Sequence, residues 1–280
     1  PLQINGLSNT RHSLMSAQGI SNEHWQESLE NAPRRDFTDF VDDMIALHPP
    51  KSVFVDCTSS EDIVGMYEKI LREGIAIVTP NKKACSGKHA RYQQLRDLAR
   101  AHNTSFTYHT NVGAGLPIIH TIQQLVSSAD KIIRLEAVLS GTLSYLFNTF
   151  ATSQTPFSEI VQEAKARGYT EPDPRDDLNG MDMARKLLIL AREAGHTLEL
   201  EQIMVEPFLP QACFDAPSIE AFFQTLQTYD SFFEEKKQEA HAQQKRLRFV
   251  ATLHEGDASI RLTSVGQDHP LYHLQGNDNS

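Results

Sequence analysis

Residues 53–83 read VFVDCTSSEDIVGMYEKILREGIAIVTPNKK, and this stretch decides the fold class. The apolar run 53–57 predicts a strand, and Ser60 is a suitable cap for a helix over 61–72. Gly74 predicts the end of that helix, before a second strand over 75–78. The arrangement repeats downstream with a predicted helix over 88–101 and a strand over 105–108. Strands that alternate with helices of this length indicate βαβ units and a parallel sheet.

The texture of the chain changes after His109. An apolar stripe over 116–126 has helical spacing, and 131–139 predicts a strand of a second domain. Further helices are predicted over 143–151, 156–167, 180–194 and 218–244, with strands over 247–253 and 259–265. The fold class is therefore α/β, with a parallel-sheet domain over 1–108 and an α+β domain over 109–280.

Composition excludes several classes of partner. The formal charge of −10 argues against nucleic acid, because binding a polyanion needs a concentrated basic face. The sequence contains no uninterrupted run of about 18 apolar residues, so it predicts no membrane-spanning helix. The 3 cysteines are too widely spaced for a disulfide framework or a C-x-x-C metal site. We expect a cytoplasmic protein with a small-molecule substrate.

Polar side chains follow both strands of the quoted stretch. Thr58, Ser59 and Ser60 come after the first strand, where hydroxyl and backbone N–H groups suit a ribose, a phosphate or a carboxamide. Lys82, after the second strand, suits a carboxylate or a carbonyl oxygen. The sequence leaves two simpler interpretations open, because Ser60 alone is an ordinary helix cap and Lys82 with Lys83 fits a surface turn.

Residues 168–186, GYTEPDPRDDLNGMDMARK, combine a rigid acidic segment with the start of a helix. Asp182 and Lys186 are four residues apart and so lie on one helix face, as a plain ion pair or as part of a site. A cationic substrate group would explain the acids that precede them, Glu171, Asp173, Asp176 and Asp177. A calcium loop is the competing interpretation, but the required order of acids and glycine is absent.

Taken together, these motifs closely resemble those of homoserine dehydrogenase, particularly the form fused behind an aspartate kinase. The resemblance covers about half of the chain, in the family's order. It implies that 1–108 is an incomplete Rossmann-type NAD(P)-binding domain and that 109–280 is a substrate-binding and dimerisation domain. Its motifs are VDCTSS (55–60), TPNKK (79–83), NVGAGLP (111–117), LSGTLSY (139–145) and the stretch 168–186.

The resemblance implies a role for each matching residue. Lys186 would handle the proton of the alcohol, and Lys82 would hold the reacting oxygen or the substrate carboxylate. Glu171, Asp177 and Asp182 would bind the amino group of homoserine or order water beside it. The pocket would be lined by Gly141, Thr142 and Tyr169.

The same resemblance implies a nicotinamide cofactor. Thr58, Ser59, Asn81 and Lys82 would lie near the nicotinamide. A strand over 2–7 would be the second strand of the sheet, and its end, with Ser8, Asn9 and Arg11, would meet the adenosine ribose. NADP is favoured over NAD, because no acid follows that strand to bind a free 2′-hydroxyl and Arg11 suits a 2′-phosphate.

Two further features of the family concern ions and assembly. A sodium or potassium ion would be held at His109, Val112, Ala114 and Leu116, although the family carries an acid where this chain has His109. The family also implies a homo-oligomer, whose interface would include the strand over 132–139 and the helix over 116–126. A preceding aspartate kinase is a further implication.

The main departure from the family is that no G-x-G-x-x-G loop is present. This loop supplies backbone N–H groups to the cofactor pyrophosphate, so we expect weak cofactor binding and a fragment that is at best weakly active. Two alternatives stay open. One is a non-catalytic assembly or regulatory module of a larger polypeptide, and the other is a thiol-dependent aldehyde dehydrogenase acting through Cys57 or Cys85.

Overall fold

The computed structural model describes residues 2–47 and 49–275, which divide into two compact units over Pro1–Asn111 and Val112–Ser280. In the first unit, the strands are β1 (Gly6–Ser8), β2 (Ser13–Met15), β3 (Val53–Val55), β4 (Ala76–Val78) and β5 (Phe106–Thr107). The helices of this unit are α1 (Trp25–Glu30), α2 (Phe37–Leu47), α3 (Glu61–Gly65), α4 (Tyr67–Arg72), α5 (Lys83–Ser86) and α6 (His89–Ala101).

A parallel sheet of order β3-β4-β5 forms the centre of the first unit, as the alternation of strands and helices predicted. Phe54 and Ile77 point from it into the core, and Tyr67 of α4 packs edge-on against Phe54. Val53 and Val55 lie on the opposite face and are exposed. One face of the sheet is therefore covered by helices and the other carries uncovered apolar side chains.

Two details of this unit differ from the sequence prediction. The helix predicted over 61–72 is interrupted at Met66, which separates α3 from α4, although Ser60 caps its start by accepting the N–H of Ile63 at 3.4 Å. The strand predicted over 2–7 is shorter, and β1 pairs antiparallel with β2 in a separate sheet instead of joining β3. The reason is a tight turn, in which Asn9 Oδ1 accepts the N–H groups of Arg11 and His12 at 2.8 Å each.

The second unit combines helices with a mostly antiparallel sheet. Its strands are β6 (Arg134–Ala137), β7 (Met204–Val205), β8 (Arg246–His254) and β9 (Asp257–Val265). Its helices are α7 (Ile118–Ser127), α8 (Gly141–Thr152), α9 (Phe157–Ala166), α10 (Arg175–Leu178), α11 (Met181–Glu193), α12 (Gln211–Phe214), α13 (Ile219–Gln227) and α14 (Asp230–Ala242).

The sheet of the second unit has the order β6-β8-β9-β7. The β8–β9 hairpin turns through Glu255 and Gly256, whose φ values of 52° and 96° match the left-handed conformation that tight hairpins require. Helices α8 and α11 pack on β8, and Phe249 of β8 joins a cluster of buried aromatic rings with Phe147, Phe157, Phe208 and Phe233. This cluster fixes the helices on the sheet.

The predicted helix over 218–244 is two helices, α13 and α14, separated at Thr228 and Tyr229. The short elements α5, α10, α12 and β7 were not predicted, because four residues or fewer carry no readable periodicity. Gly180 starts α11 at φ 75°, and a Cβ there would meet Val205 at 3.1 Å. Glycine is therefore required both by the backbone conformation and by the close approach of β7.

Candidate active site

At the carboxyl end of β3, Thr58 and Ser59 are exposed. A hydrogen bond holds the backbone of the turn that carries them, because Asp56 Oδ1 accepts the N–H of Thr58 at 2.7 Å. Thr58 Oγ1 in turn accepts the N–H of Ser60 at 3.1 Å. The predicted cofactor-facing hydroxyls thus lie on a short turn with a defined backbone, at the edge of a parallel sheet.

The turn after β4 carries Asn81 and Lys82. Lys82 is half-buried and precedes α5, whereas the side chain of Asn81 is buried. Asn81 Nδ2 donates to Asp56 Oδ2 at 3.1 Å and to the carbonyl of Ser60 at 3.0 Å, and Oδ1 accepts the N–H of Lys83 at 3.1 Å. These bonds join the turn after β4 to the turn after β3, so that Thr58 and Asn81 share one network.

The predicted adenosine-ribose residues lie at the tip of the β1–β2 hairpin. Ser8 Oγ is 2.9 Å from Ser13 Oγ, Asn9 shapes the turn, and Arg11 is exposed. The turn therefore presents a guanidinium to solvent, and contact with a 2′-phosphate stays a prediction.

In the second unit, Lys186 and Asp182 form the ion pair that their spacing predicted. The distance from Lys186 Nζ to Asp182 Oδ2 is 2.8 Å, and Nζ also donates to the carbonyl of Leu139 at 2.7 Å. The Lys186 side chain is only 20% exposed, whereas that of Asp182 is 46% exposed. The ammonium is therefore held in one place by two oxygens, one of them from the turn before α8.

Gly141 and Thr142 are the first residues of α8, which Ser140 caps by accepting the N–H of Leu143 at 3.2 Å. Thr142 Oγ1 donates to the carbonyl of Tyr169 at 2.7 Å and lies 3.2 Å from Asp177 Oδ1. The ring of Tyr169 packs edge-on against that of Tyr145. The start of α8 thereby contacts the acidic segment directly.

Asp177 is half-buried, and its second oxygen accepts the N–H of Glu171 at 2.7 Å. Burial raises the pKa of Asp177, against the opposing effect of these hydrogen bonds. Glu171 itself is exposed. The structure brings Thr142, Tyr169, Glu171 and Asp177 together around one loop. A contact of these groups with a substrate amine stays a prediction.

Asp173 has a different role from the one that its charge suggested. Its carboxylate accepts hydrogen bonds from Arg175 Nε at 2.9 Å and from Nη2, and Arg175 Nη1 donates to the carbonyl of Ala216 at 2.6 Å. Arg175 therefore explains Asp173 without any substrate cation. The sequence reasoning missed this pair because a spacing of two residues predicts no contact on a helix, and α10 begins only at Arg175.

This pair yields a pH-dependent prediction. The hydrogen bond from Arg175 holds the pKa of Asp173 below its usual value of 3.8, so the pair stabilises the fold above that pH and the contribution is lost as pH falls through the lowered value. Arg175→Gln should therefore lower the free energy of unfolding at pH 7, because Asp173 loses its charged donor. In urea titrations stepped from pH 7 toward pH 3, the gap to the wild type should narrow.

Arg167→Gln is the matched control, because the Arg167–Glu163 pair is a more exposed ion pair. Its loss should lower the free energy of unfolding at pH 7 by less than the loss of Arg175 does, because solvent screens an exposed pair. A gap for Arg175→Gln that stays constant from pH 7 to pH 3 would show that Asp173 is not the partner that matters.

Binding of a monovalent cation at His109, Val112, Ala114 and Leu116 stays a prediction. His109 supplies a nitrogen donor where a hard cation prefers carboxylate or carbonyl oxygen. Among the described residues, no group of three or more His, Cys, Asp or Glu side chains is arranged to hold a metal ion.

The two cysteines of the thiol-dependent alternative differ in exposure. Cys57 is exposed and Cys85 is buried. Within residues 2–47 and 49–275, none of the helices is both long and apolar enough to cross a bilayer.

Family models match nearly the whole chain. The model described as "Homoserine dehydrogenase, NAD binding domain" matches residues 4–109, and the model described as "Homoserine dehydrogenase" matches residues 117–280. The junction between them falls close to the boundary between the two compact units, at Asn111 and Val112.

Three individual proteins are similar over most of the chain. A bifunctional aspartokinase/homoserine dehydrogenase of Haemophilus influenzae is 40% identical over 280 residues, which is 100% of this chain and 34% of that protein. A homoserine dehydrogenase of Schizosaccharomyces pombe is 38% identical over 94% of this chain and 72% of that protein. A crystal structure of a Candida auris protein of unknown function is 34% identical, with a TM-score of 0.91, over 100% of this chain and 80% of that one.

The coverage is unequal between the two kinds of relative. The chain spans about a third of the length of the bifunctional relatives but almost three quarters of the Schizosaccharomyces pombe protein. The similarity therefore concerns the dehydrogenase part of the bifunctional proteins.

Proposed function

The chain belongs to the homoserine dehydrogenase family, and we propose that it interconverts L-aspartate 4-semialdehyde and L-homoserine with NADP(H). The observation that carries this proposal is the held ammonium of Lys186, bonded to Leu139 and Asp182 on the helix that follows the acidic loop. These two contacts use two of its three N–H bonds, which leaves the third for a substrate oxygen.

The proposed chemistry follows from where charge develops. NADPH, when bound, supplies the hydride that reaches the aldehyde carbon, and negative charge then builds on the aldehyde oxygen. An ammonium that donates to that oxygen stabilises the transition state more than the ground state. We assign this donation and the proton of the product alcohol to Lys186. For Lys82 we propose the role that the family resemblance implies, which is to hold the reacting oxygen or the substrate carboxylate.

The carboxylates select the substrate through its amino group. Glu171 and Asp182 are exposed enough to meet a ligand, whereas Asp177 Oδ2 already accepts the N–H of Glu171 and Oδ1 lies 3.2 Å from Thr142 Oγ1. We therefore propose that Glu171 and Asp182 bind the ammonium and that Asp177 shapes the loop or orders water. Gly141, Thr142 and Tyr169 line the same pocket.

For the cofactor, we assign the exposed Thr58 and Ser59 to one side of the nicotinamide. The backbone beside Asn81 and Lys82 would form the other side of the same site. The hairpin tip with Ser8, Asn9 and Arg11 fits the adenosine ribose. The exposed guanidinium of Arg11 supports NADP over NAD, because a guanidinium forms strong hydrogen bonds with a phosphate and only NADP carries the 2′-phosphate.

Three wider proposals follow from the family. The reaction belongs to the route to threonine and methionine, the second unit mediates homo-oligomer formation, and the dehydrogenase is fused to an aspartate kinase. The bifunctional relatives support the last of these.

The proposed function predicts discrimination by the substrate amino group. At saturating NADPH, the oxidation of NADPH can be followed at 340 nm with each aldehyde as substrate. We expect kcat/KM for aspartate semialdehyde to exceed that for succinate semialdehyde by at least about 100-fold. The reason is that the second aldehyde lacks the ammonium and leaves the acids without a partner, at about 1.5–3 kcal/mol for each lost bond. Equal rates would contradict the assigned substrate, and no turnover with either aldehyde would favour the non-catalytic assembly module.

A further inference from the structure

A buried carboxylate joins the two loops at the carboxyl edge of the parallel sheet. Asp56, directly after β3, is only 2% exposed. Its Oδ1 accepts the N–H of Thr58 at 2.7 Å, and its Oδ2 accepts Asn81 Nδ2 at 3.1 Å. One side chain therefore contacts both the turn that carries Thr58 and the turn that carries Lys82.

Two hydroxyls complete this network from below. The Tyr67 hydroxyl donates to Asp56 Oδ2 at 2.6 Å, and Thr79 Oγ1 donates to the Asp56 carbonyl at 3.1 Å. Burial, followed by the bond to Asp56, raises the pKa of Tyr67 far above its usual value, so its hydroxyl remains a donor at any working pH. Tyr67 and Thr79 are fully buried, and neither side chain is able to touch a ligand.

The network also fixes the backbone on both sides of Lys82. Thr79 Oγ1 accepts the N–H of Asn81 at 2.8 Å, and Asn81 Oδ1 accepts the N–H of Lys83 at 3.1 Å. Asn81 Nδ2 further reaches the carbonyl of Ser60 at 3.0 Å. A shift of the turn after β3 or of the turn after β4 would therefore break the hydrogen bonds that join the two turns.

Such a network is costly if its only purpose is packing. The donors described for the Asp56 carboxylate are all neutral, and a buried charge held by neutral donors is less favourable than an apolar side chain of the same size. A fully satisfied polar network does, however, specify one geometry. That property matters where two loops must keep a fixed separation.

We infer that Asp56, supported by Tyr67, Thr79 and Asn81, is a positioning residue for hydride transfer, which sets the spacing between the Thr58 turn and Lys82. The inference rests on the proposed function, because it assigns the first turn to the nicotinamide and the second to the substrate. None of these four side chains needs to touch a ligand to act in this way.

The test compares two buried tyrosines of the same unit. Tyr67→Phe removes one hydroxyl from the network. Tyr92→Phe removes a hydroxyl that contacts Arg96 at 2.6 Å and lies 3.4 Å from that of Tyr108, outside the network. We expect Tyr67→Phe to lower kcat/KM for NADPH by about 10- to 100-fold, because small misplacements of reacting groups cost about this much. Tyr92→Phe should leave it within about twofold.

A second pair of variants separates the hydroxyl from the shape of the side chain. Thr79→Val keeps the shape and removes the hydroxyl, whereas Thr79→Ser keeps the hydroxyl. We expect the valine variant to match Tyr67→Phe and the serine variant to recover most of the loss. Amide hydrogen exchange over 57–60 and 79–83 gives a readout that does not need turnover, and it should accelerate at both turns in Tyr67→Phe and in neither turn in Tyr92→Phe.

The outcomes distinguish this inference from the proposed function. Unchanged exchange at the two turns in Tyr67→Phe would overturn the inference, whatever the activity of the wild type. Faster exchange with unchanged kcat/KM would overturn it as well, because the network would then be structural only. If both turns exchange faster in Tyr67→Phe but the wild type shows no hydride transfer, the proposed function is overturned. The positioning role for hydride transfer is then overturned with it.

Discussion

Replacing Lys186 by Met is expected to lower kcat for aspartate semialdehyde reduction by about 1000-fold while leaving the KM for NADPH unchanged. The variant removes the ammonium that we propose as the donor to the developing oxyanion and as the proton source, and each role is typically worth about 100- to 1000-fold or more. Methionine retains the apolar stem along α11, so the helix should keep its packing. Single-turnover oxidation of NADPH at 340 nm measures the chemical step directly.

The structure allows the catalytic effect to be separated from loss of stability. Asp182, the ion-pair partner, is 46% exposed, so the lost pair should change the free energy of unfolding by less than about 1 kcal/mol. Lys131→Met, at an exposed lysine before β6, is the matched control and should retain full activity. If Lys186→Met retained more than a tenth of the wild-type rate, another group would have to supply the proton.

The ion pair of Lys186 with Asp182 could be predicted from the sequence because a spacing of four on a helix determines proximity. The parallel sheet was predictable for a similar reason, since apolar runs alternated with helical segments. By contrast, the pairing of Asp173 with Arg175 depends on the course of a loop between prolines. The charge cluster alone suggested a ligand there, whereas the structure shows a neutralised pair.

The Asp56 network illustrates a second limit of sequence reasoning. Asp56 and Asn81 are 25 residues apart, and their contact follows from the side-by-side pairing of β3 with β4. The strand ends were predicted to carry ligand-binding groups, and the exposed Thr58 fits that view. Burial is what distinguishes Asp56 and Asn81 from their exposed neighbours, and burial at a strand end depends on the helix that covers it.

A buried guanidinium in the second unit gives the largest expected effect on stability. Arg248 of β8 is 1% exposed and donates to the carbonyls of Leu271 at 3.0 Å, Tyr272 at 3.1 Å and Leu247 at 2.9 Å. Burial lowers its pKa to about 10, so it stays charged at pH 7. Arg246 adds a bond to the Tyr272 carbonyl at 3.2 Å. Together they hold the 3₁₀ turn Pro270–His273 on the sheet.

Arg248→Met should lower the free energy of unfolding by about 2–4 kcal/mol. Methionine fills the volume of the stem but leaves the carbonyls of the turn without their charged donor, and each such bond contributes about 1.5–3 kcal/mol. The removal of a desolvated charge offsets part of that loss. Urea unfolding at pH 7, followed by far-UV circular dichroism, measures the difference as a lower midpoint.

Arg261→Met provides the control on the neighbouring strand β9. Arg261 is exposed and donates to Ser259 Oγ at 3.0 Å, so its loss should change stability by no more than about 0.5 kcal/mol. Arg248→Lys adds a further discrimination, because a lysine keeps the charge but is unable to reach several carbonyls in one plane. It should fall between Arg248→Met and the wild type. A methionine variant as stable as the wild type would show that the cost of burying the guanidinium cancels its bonds to the turn.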